Sequence, residues 1–260
     1  MSNKNDVTTN YNDKGTIIME MIYGDGFLSP GAVGTTQSLI ELVQLPDGAT
    51  VLDIGSGLGG SAFYLAERKA CVVQGIDLME MNVAEANRRA QVLGIGDLVA
   101  FTAGNATALP FDDEQFDIVW GQDAWCHIDD KKALISEAHR SLVTGGSLVF
   151  SDWLLKDAGS DLAEEVRKVT ASANLGDVAT YLELMAAQGF EVATHVDTSA
   201  EFAEGYRQVL SRLRATEAQV VERFGQKIFD IVLEKQQFVL EAFTSGLLGA
   251  GSFVARKVRL

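Results

Sequence analysis

Asp53 ends the apolar run Val51–Leu52 and is followed by a cluster of glycines, Gly55, Gly57, Gly59 and Gly60. Glycine costs conformational entropy on folding, so a cluster this dense implies positive φ angles or a backbone that another molecule must approach closely. An ordinary tight turn is the plainer use. Gly55, Gly57 and Gly60 have the G-x-G-x-x-G spacing and lead into the helical run SAFYLAERKA, so a helix N-terminus and bare backbone would face a nucleotide. The acid expected about 20 positions further on is Asp77, which ends a second apolar run, VVQGIDL. Together they predict a nucleoside cofactor. Asp53 selects which one: a carboxylate just before the loop repels a diphosphate but attracts an ammonium or sulfonium group, favouring S-adenosylmethionine over a nicotinamide dinucleotide.

These residues need a scaffold. The runs TVLDIG, ACVVQGID, LVAFTAG, FDIVWGQD and GSLVFSDW read as five strands, with FEVATHVD and GSFVARKV as two later candidates. Helical patterns separate them; MNVAEANRRAQVLG is expected to stop at Gly94 and KKALISEAHRSLVTGG at Gly145 and Gly146. Alternating strand and helix predict an α/β fold: a doubly wound, Rossmann-like parallel sheet with helices on both faces. Residues 201–244 carry Phe202, Tyr206, Val209, Leu210 and Leu213 at helical spacing and interrupt the last strands. They are expected to cap the carboxyl ends of the sheet, where ligands of open α/β sheets bind.

The chain of 260 residues is 47% hydrophobic, enough for one full core. We divide this single domain into a lid segment (1–45), a cofactor-binding core (46–155), a substrate cap with strand six (156–250) and a last strand (251–260). A net charge of −15 makes nucleic acid and membrane surfaces poor partners. Cys71 and Cys126 have no metal-ligand spacing, so neither a metal site nor a disulfide framework is expected, and a reducing cytoplasm is. The polar start MSNKNDVTTNYNDKGT lacks a signal peptide's apolar core, and no apolar run is long enough to span a bilayer.

On the glycine loop, Asp77 and the fourth strand FDIVWGQDAWCHI with its preceding GNATALPFDDEQ, the sequence resembles the class I S-adenosylmethionine-dependent methyltransferases over nearly the whole chain. The resemblance implies a seven-stranded sheet whose final strand is antiparallel. It further implies that Asp53, Gly55, Gly57 and Gly59 hold the methionine end, Asp77 and Leu78 the ribose and adenine, and Asn105 and Ala106 the adenine, with Gln122 also beside the cofactor. Asn105 stands where such families usually have aspartate; an amide offers a donor and an acceptor. Its plainer role is to cap a turn.

The stretch YNDKGTIIMEMIYGDGFLSPGA resembles the substrate-closing segment of phosphoethanolamine N-methyltransferases. That likeness implies a catalytic pair of Tyr11 and His127, with Ser29 against the cofactor. The phosphate-holding Arg and Tyr side chains expected later are replaced by the small residues of VTASANLGDVATY. A second likeness, through VWGQDAWCHIDDK, NLGDVATYLELMAAQGF and YRQVLSRL, is to the sarcosine/dimethylglycine N-methyltransferases of glycine betaine synthesis. The expected acceptor is therefore the nitrogen of a small amine.

Methyl transfer is an in-line displacement, so the nitrogen must present a lone pair at the methyl carbon. His127 is the expected base with a pKa near neutrality. A quaternary product suits aromatic faces, and Tyr23, Trp125 and Trp153 are the expected substrate-binding residues, with Phe27 nearby. His139 and His195 are read as structural; Arg167, Lys168 and Arg207 fit a cation for an acceptor carboxylate and a solvated helix face equally well, and are left out of the catalytic set. The rival readings are a phosphobase N-methyltransferase, an O- or C-methyltransferase, and a cofactor-binding sensor.

Overall fold

Strand-forming runs and amphipathic helices alternate along most of the chain, and the computed structural model, which describes residues 13–172 and 174–258, shows where they pair. In chain order they are α1 (Asp13–Tyr23), α2 (Ala32–Val43), β1 (Thr50–Ile54), α3 (Gly60–Lys69), β2 (Val72–Asp77), α4 (Glu80–Val92), β3 (Val99–Ala103) and β4 (Phe116–Gln122). A 3-10 turn (Trp125–His127) leads to α5 (Lys131–Ser141), β5 (Leu142–Leu155), α6 (Ala163–Thr170), α7 (Val178–Ala187) and β6 (Phe190–Asp197). Then come α8 (Ser199–Ala215), α9 (Glu217–Phe224), α10 (Gln226–Thr244) and β7 (Leu248–Lys257).

The seven strands form one sheet in the order β3-β2-β1-β4-β5-β7-β6. The first five are parallel, and β7 runs antiparallel between β5 and β6. This is the expected α/β architecture, a seven-stranded sheet whose final strand is antiparallel. Strands buried on both faces need cover on both. Leu39, Leu65, Ala86 and Ala90 of α2, α3 and α4 pack one face, and Leu134, Ile135, Tyr181 and Met185 of α5 and α7 the other. The strand order reverses between β1 and β4, which opens the crevice where such sheets bind ligands.

Gly94 follows α4 at φ 70°, as its sequence suggested. The stop expected at Gly145 and Gly146 comes earlier: α5 ends at Ser141, and Leu142 is already paired with Phe116 as the first residue of β5. A fully buried Leu142 gains more from the sheet than from another helical turn. Helices α8, α9 and α10 form a cap, and Val209, Leu213, Val220 and Phe229 bury the apolar face of α1, Ile18 and Ile22. Among the described residues, no helix is long and apolar enough to cross a membrane, and no group of His, Cys, Asp and Glu could hold a metal ion.

Candidate functional site

The cofactor-sized pocket lies over the carboxyl ends of β1, β2 and β4. Gly55 at φ 84° and Gly57 at φ 53° turn the chain out of β1, a conformation that favours glycine. The loop is tied to β2 at two points: Gly55 N–H donates to the Ile76 carbonyl at 2.8 Å, and Gly57 N–H to Asp77 Oδ2 at 2.9 Å. Asp77 Oδ1 also accepts from Met79 N–H at 2.9 Å. Burial pushes the Asp77 carboxyl up, against these hydrogen bonds.

Asp53 is buried, and its Oδ2 has no hydrogen-bond partner among the described residues. Burial first and the Asp77 charge second push its pKa up to about 7. A buried carboxylate oxygen is costly to leave unpaired, so the pocket favours a ligand bringing a cation or a donor. The rest of the lining includes Ile76, Leu78, Met79 and Ala106, an apolar surface suited to a flat ring. Asn105 Oδ1 accepts from the backbone N–H and the hydroxyl of Thr107, each at 3.0 Å, so the amide caps a turn and offers a ligand its NH₂ only. Gln122 borders the pocket, but its Oε1 accepts from Thr36 at 2.7 Å and Ser61 at 2.9 Å, and its amide donates to the Ala32 carbonyl. It fastens α2 to α3.

Two expectations change here. Gly59 lies outside the pocket lining; a methyl group there would stand 2.7 Å from the Phe63 ring and 2.8 Å from Phe101, so its bareness serves the packing of those rings. Trp125 lies in the core below the site, fully buried, stacked on Phe150 at 4.4 Å with its indole N–H donating to the Ile54 carbonyl. Gly121 gives it room, since a methyl group there would come within 2.3 Å of Nε1. Trp125 cannot line a substrate pocket.

A second, smaller pocket adjoins the first. Tyr23, Trp153, Tyr206, Lys235 and Gln236 line it, and Leu28, Ser29, Asp123 and His127 form a wall shared with the first. Tyr23 donates its hydroxyl to Gln236 Oε1 at 3.1 Å, joining α1 to the cap. Tyr11 lies outside the described residues. Among the described residues lining this pocket, Lys235 is the only lysine or arginine, and burial lowers its pKa to about 8. Arg167 and Arg207 pair with Glu164 and Glu204 of their own helices.

Asp123 was not singled out by its sequence. It is buried at φ 54°, a left-handed conformation uncommon for a residue with a Cβ. Burial pushes its pKa up to about 6, against the Ser151 and Ser29 hydroxyls beside it. His127 departs from its expected near-neutral pKa: burial lowers it to about 4, so the imidazole is neutral at physiological pH. Its Nδ1 lies 3.2 Å from the Ala171 carbonyl and 3.3 Å from the Ser172 hydroxyl; since a carbonyl only accepts, the first contact favours the tautomer with the proton on Nδ1 and the lone pair on Nε2.

Residues 52–150 match the family model described as "Methyltransferase domain". The chain is 29% identical over 249 residues to phosphoethanolamine N-methyltransferase 1 of Arabidopsis thaliana, covering 95% of this chain and 50% of the relative. It is 29% identical over 217 residues to the sarcosine/dimethylglycine N-methyltransferase of Aphanothece halophytica, covering 81% of this chain and 76% of that protein. A solved structure of Haemonchus contortus phosphoethanolamine N-methyltransferase 2, with phosphomonomethylethanolamine and S-adenosylhomocysteine, matches with a TM-score of 0.92 at 23% identity, covering 100% of this chain and 61% of that one. The chain thus spans about half the length of the phosphoethanolamine relatives it matches in Arabidopsis thaliana, Zea mays and Triticum aestivum.

Proposed function

We propose that this chain, which carries a methyltransferase domain over residues 52–150, is an S-adenosylmethionine-dependent enzyme that methylates the nitrogen of a small amine bearing one anionic group. The observation that carries this reading is the wall of Leu28, Ser29, Asp123 and His127 shared by a cofactor-sized pocket and a smaller one that holds Lys235.

The donor set of the larger pocket suits S-adenosylmethionine, which when bound supplies a methyl group on a sulfonium. Asp53 would hold its cationic methionine end, Gly55 and Gly57 would let it approach the backbone, and Asp77 would take the ribose hydroxyls. Leu78 and Ala106 would cover the adenine, and the Asn105 NH₂ would donate to a ring nitrogen. Ser29 would close the pocket from the lid.

In the smaller pocket Asp123 and Lys235 supply one negative and one positive group, the complement of an amino acid zwitterion. Asp123 attracts the substrate ammonium and, with its carboxyl raised by burial, is the better-matched acceptor for the proton that must leave before nitrogen can attack. His127 Nε2, a neutral acceptor, orients the amine; Trp153 and Tyr23 offer aromatic surface to the methylated nitrogen. A single lysine suits a carboxylate such as that of sarcosine or dimethylglycine better than a phosphate dianion.

A phosphobase is the second reading, favoured by the likeness to phosphoethanolamine N-methyltransferases. Transfer of labelled methyl groups from S-adenosylmethionine to a panel of carboxylated amines, phosphobases and phenols tests both. The expected product is an N-methylated carboxylated amine. Faster turnover of phosphoethanolamine would favour the second reading, and methylation of phenol oxygen alone would overturn both.

A further inference from the structure

Residues Gly26–Ser29, which follow α1, lie directly on the glycine loop. Gly60 N–H donates to the Gly26 carbonyl at 3.1 Å. A methyl group on Gly60 would stand 2.7 Å from that oxygen and 2.9 Å from the Phe27 ring, and one on Gly57 would stand 3.3 Å from Leu28 Cδ1. Phe27, Leu28 and Ser29 all line the cofactor pocket. A cofactor bound in this pocket would therefore be covered on one side by this segment.

Glu20 adds a charged tie between the roof and the cofactor-binding core. From α1 its Oε1 accepts the Gly26 N–H at 2.7 Å, and its two carboxylate oxygens engage both terminal nitrogens of Arg89 on α4, Nη2 at 3.0 Å. Arg89 is in turn held by Glu85, whose Oε1 accepts from Nε at 2.7 Å. Although partial burial pushes the Glu20 carboxyl up, the Arg89 guanidinium and the Gly26 N–H hold it below its usual range. Docking of α1 itself does not require this pair, because Ile18 and Ile22 already bury its apolar face in the cap. The ion pair joins a lid anchored on the cap to the helix that follows the cofactor's acidic residue.

We propose that Glu20 and Arg89 are positioning residues that latch Gly26–Ser29 over the glycine loop and thereby set the rate at which cofactor and demethylated product exchange. This rests on the larger pocket being the S-adenosylmethionine site. The test is stopped-flow dissociation of S-adenosylhomocysteine from the full chain, comparing wild type with Glu20→Ala, Arg89→Met and Glu20→Gln. The off-rate should rise roughly 3- to 30-fold for the first two, the range for losing a partly exposed charged pair. Glu20→Gln should rise less, since its amide oxygen still accepts from Gly26 while its charge is gone. Added salt should speed release from wild type, because a partly exposed pair is screened, and should have little effect on the variants. Off-rates within twofold of wild type in folded variants, or a wild-type off-rate indifferent to salt, would overturn the latch. Should wild type bind no S-adenosylhomocysteine at all, the cofactor reading would fall and the latch with it, an outcome distinct from normal binding with unchanged release.

Discussion

Ser151, on β5, donates its hydroxyl to Asp123 Oδ1 at 2.6 Å, while the Asp123 backbone N–H donates to the Ser151 carbonyl at 2.9 Å. This two-way clasp holds an otherwise unfavourable backbone turn at φ 54° and fixes one carboxylate oxygen, leaving the other at the wall between the pockets. Strained residues persist where surrounding contacts over-determine them.

Asp123→Asn should retain this backbone, because asparagine tolerates positive φ and its oxygen can still accept from Ser151. Turnover should fall by roughly 100- to 10,000-fold if the carboxylate takes the amine proton. The acid limb of the kcat/KM profile, expected near pH 6 from this carboxyl, should disappear. A raised carboxyl contributes stability fully below its ordinary 3.8 and loses it as pH rises through about 6. At pH 7 the amide should therefore melt no lower than wild type, and turnover within threefold of wild type would remove Asp123 from the chemistry.

Lys235→Met should raise KM for a carboxylated amine by roughly 10- to 100-fold, the range for a lost charge-assisted bond. KM for an uncharged amine of similar size should change little. The alkaline limb set by this ammonium, near pH 8, should vanish. Because the folded pKa lies below the ordinary 10.5, the group's contribution is full above that value and lost as pH falls through about 8, so neutral-pH stability should not suffer. Equal KM effects on charged and uncharged acceptors would show that Lys235 acts through packing alone.

The cofactor loop was legible because glycine and acid positions express local backbone demands, and Gly55 and Gly57 meet theirs through positive φ. The strands were legible from their β-branched runs. The second pocket was legible in part: Tyr23, Trp153 and His127 were expected and line it, but Lys235 and Gln236 were not, since on α10 they meet Tyr23 on α1 only through the cap. One signal was available: Lys235 stands four residues before the buried Val239, on the inward side of its helix. Trp125 was misjudged because its direction depends on the space left by Gly121, and the end of α5 because Leu142 is decided by its partner Phe116. Both are tertiary effects without a local pattern.

Asp53, its pKa pushed up to about 7 by burial and by the Asp77 charge, is partly protonated at neutral pH. A cation placed against its unpartnered oxygen should lower that pKa and expel the proton. Calorimetric titration with S-adenosylmethionine at pH 7 should therefore show an apparent enthalpy that depends on buffer ionisation enthalpy, with up to about half a proton released per site. The dependence should be lost in Asp53→Asn, along with roughly tenfold or more of affinity. A buffer-independent enthalpy in wild type would place the cationic end of the cofactor elsewhere.

Beneath the site, a buried polar network supports the turn that carries His127. Lys131, only 3% exposed, donates to the Trp125 carbonyl at 2.9 Å and the Ile128 carbonyl at 2.8 Å, bracketing His127. Asp152, fully buried, accepts from the Cys126 N–H at 2.8 Å and the Tyr181 hydroxyl at 2.5 Å. Burial pushes the Asp152 carboxyl up, and the Lys131 charge pulls it back. Removing one charge from such a network leaves the other buried without compensation, so Lys131→Met should lose about 3–5 kcal/mol of stability. Tyr181→Phe removes one hydrogen bond and should lose about 1–3 kcal/mol. Lys131→Met combined with Asp152→Asn should lose less than the two single losses added, since the second change neutralises the charge stranded by the first. Urea denaturation of the single and double variants measures this coupling, and kcat/KM measured at a temperature where all remain folded separates support from chemistry. Tyr181→Phe should keep turnover within a fewfold of wild type because the Lys131 bonds still hold the His127 turn. Strictly additive stabilities would mean that Lys131 and Asp152 act independently, each satisfied by its own hydrogen-bond partners.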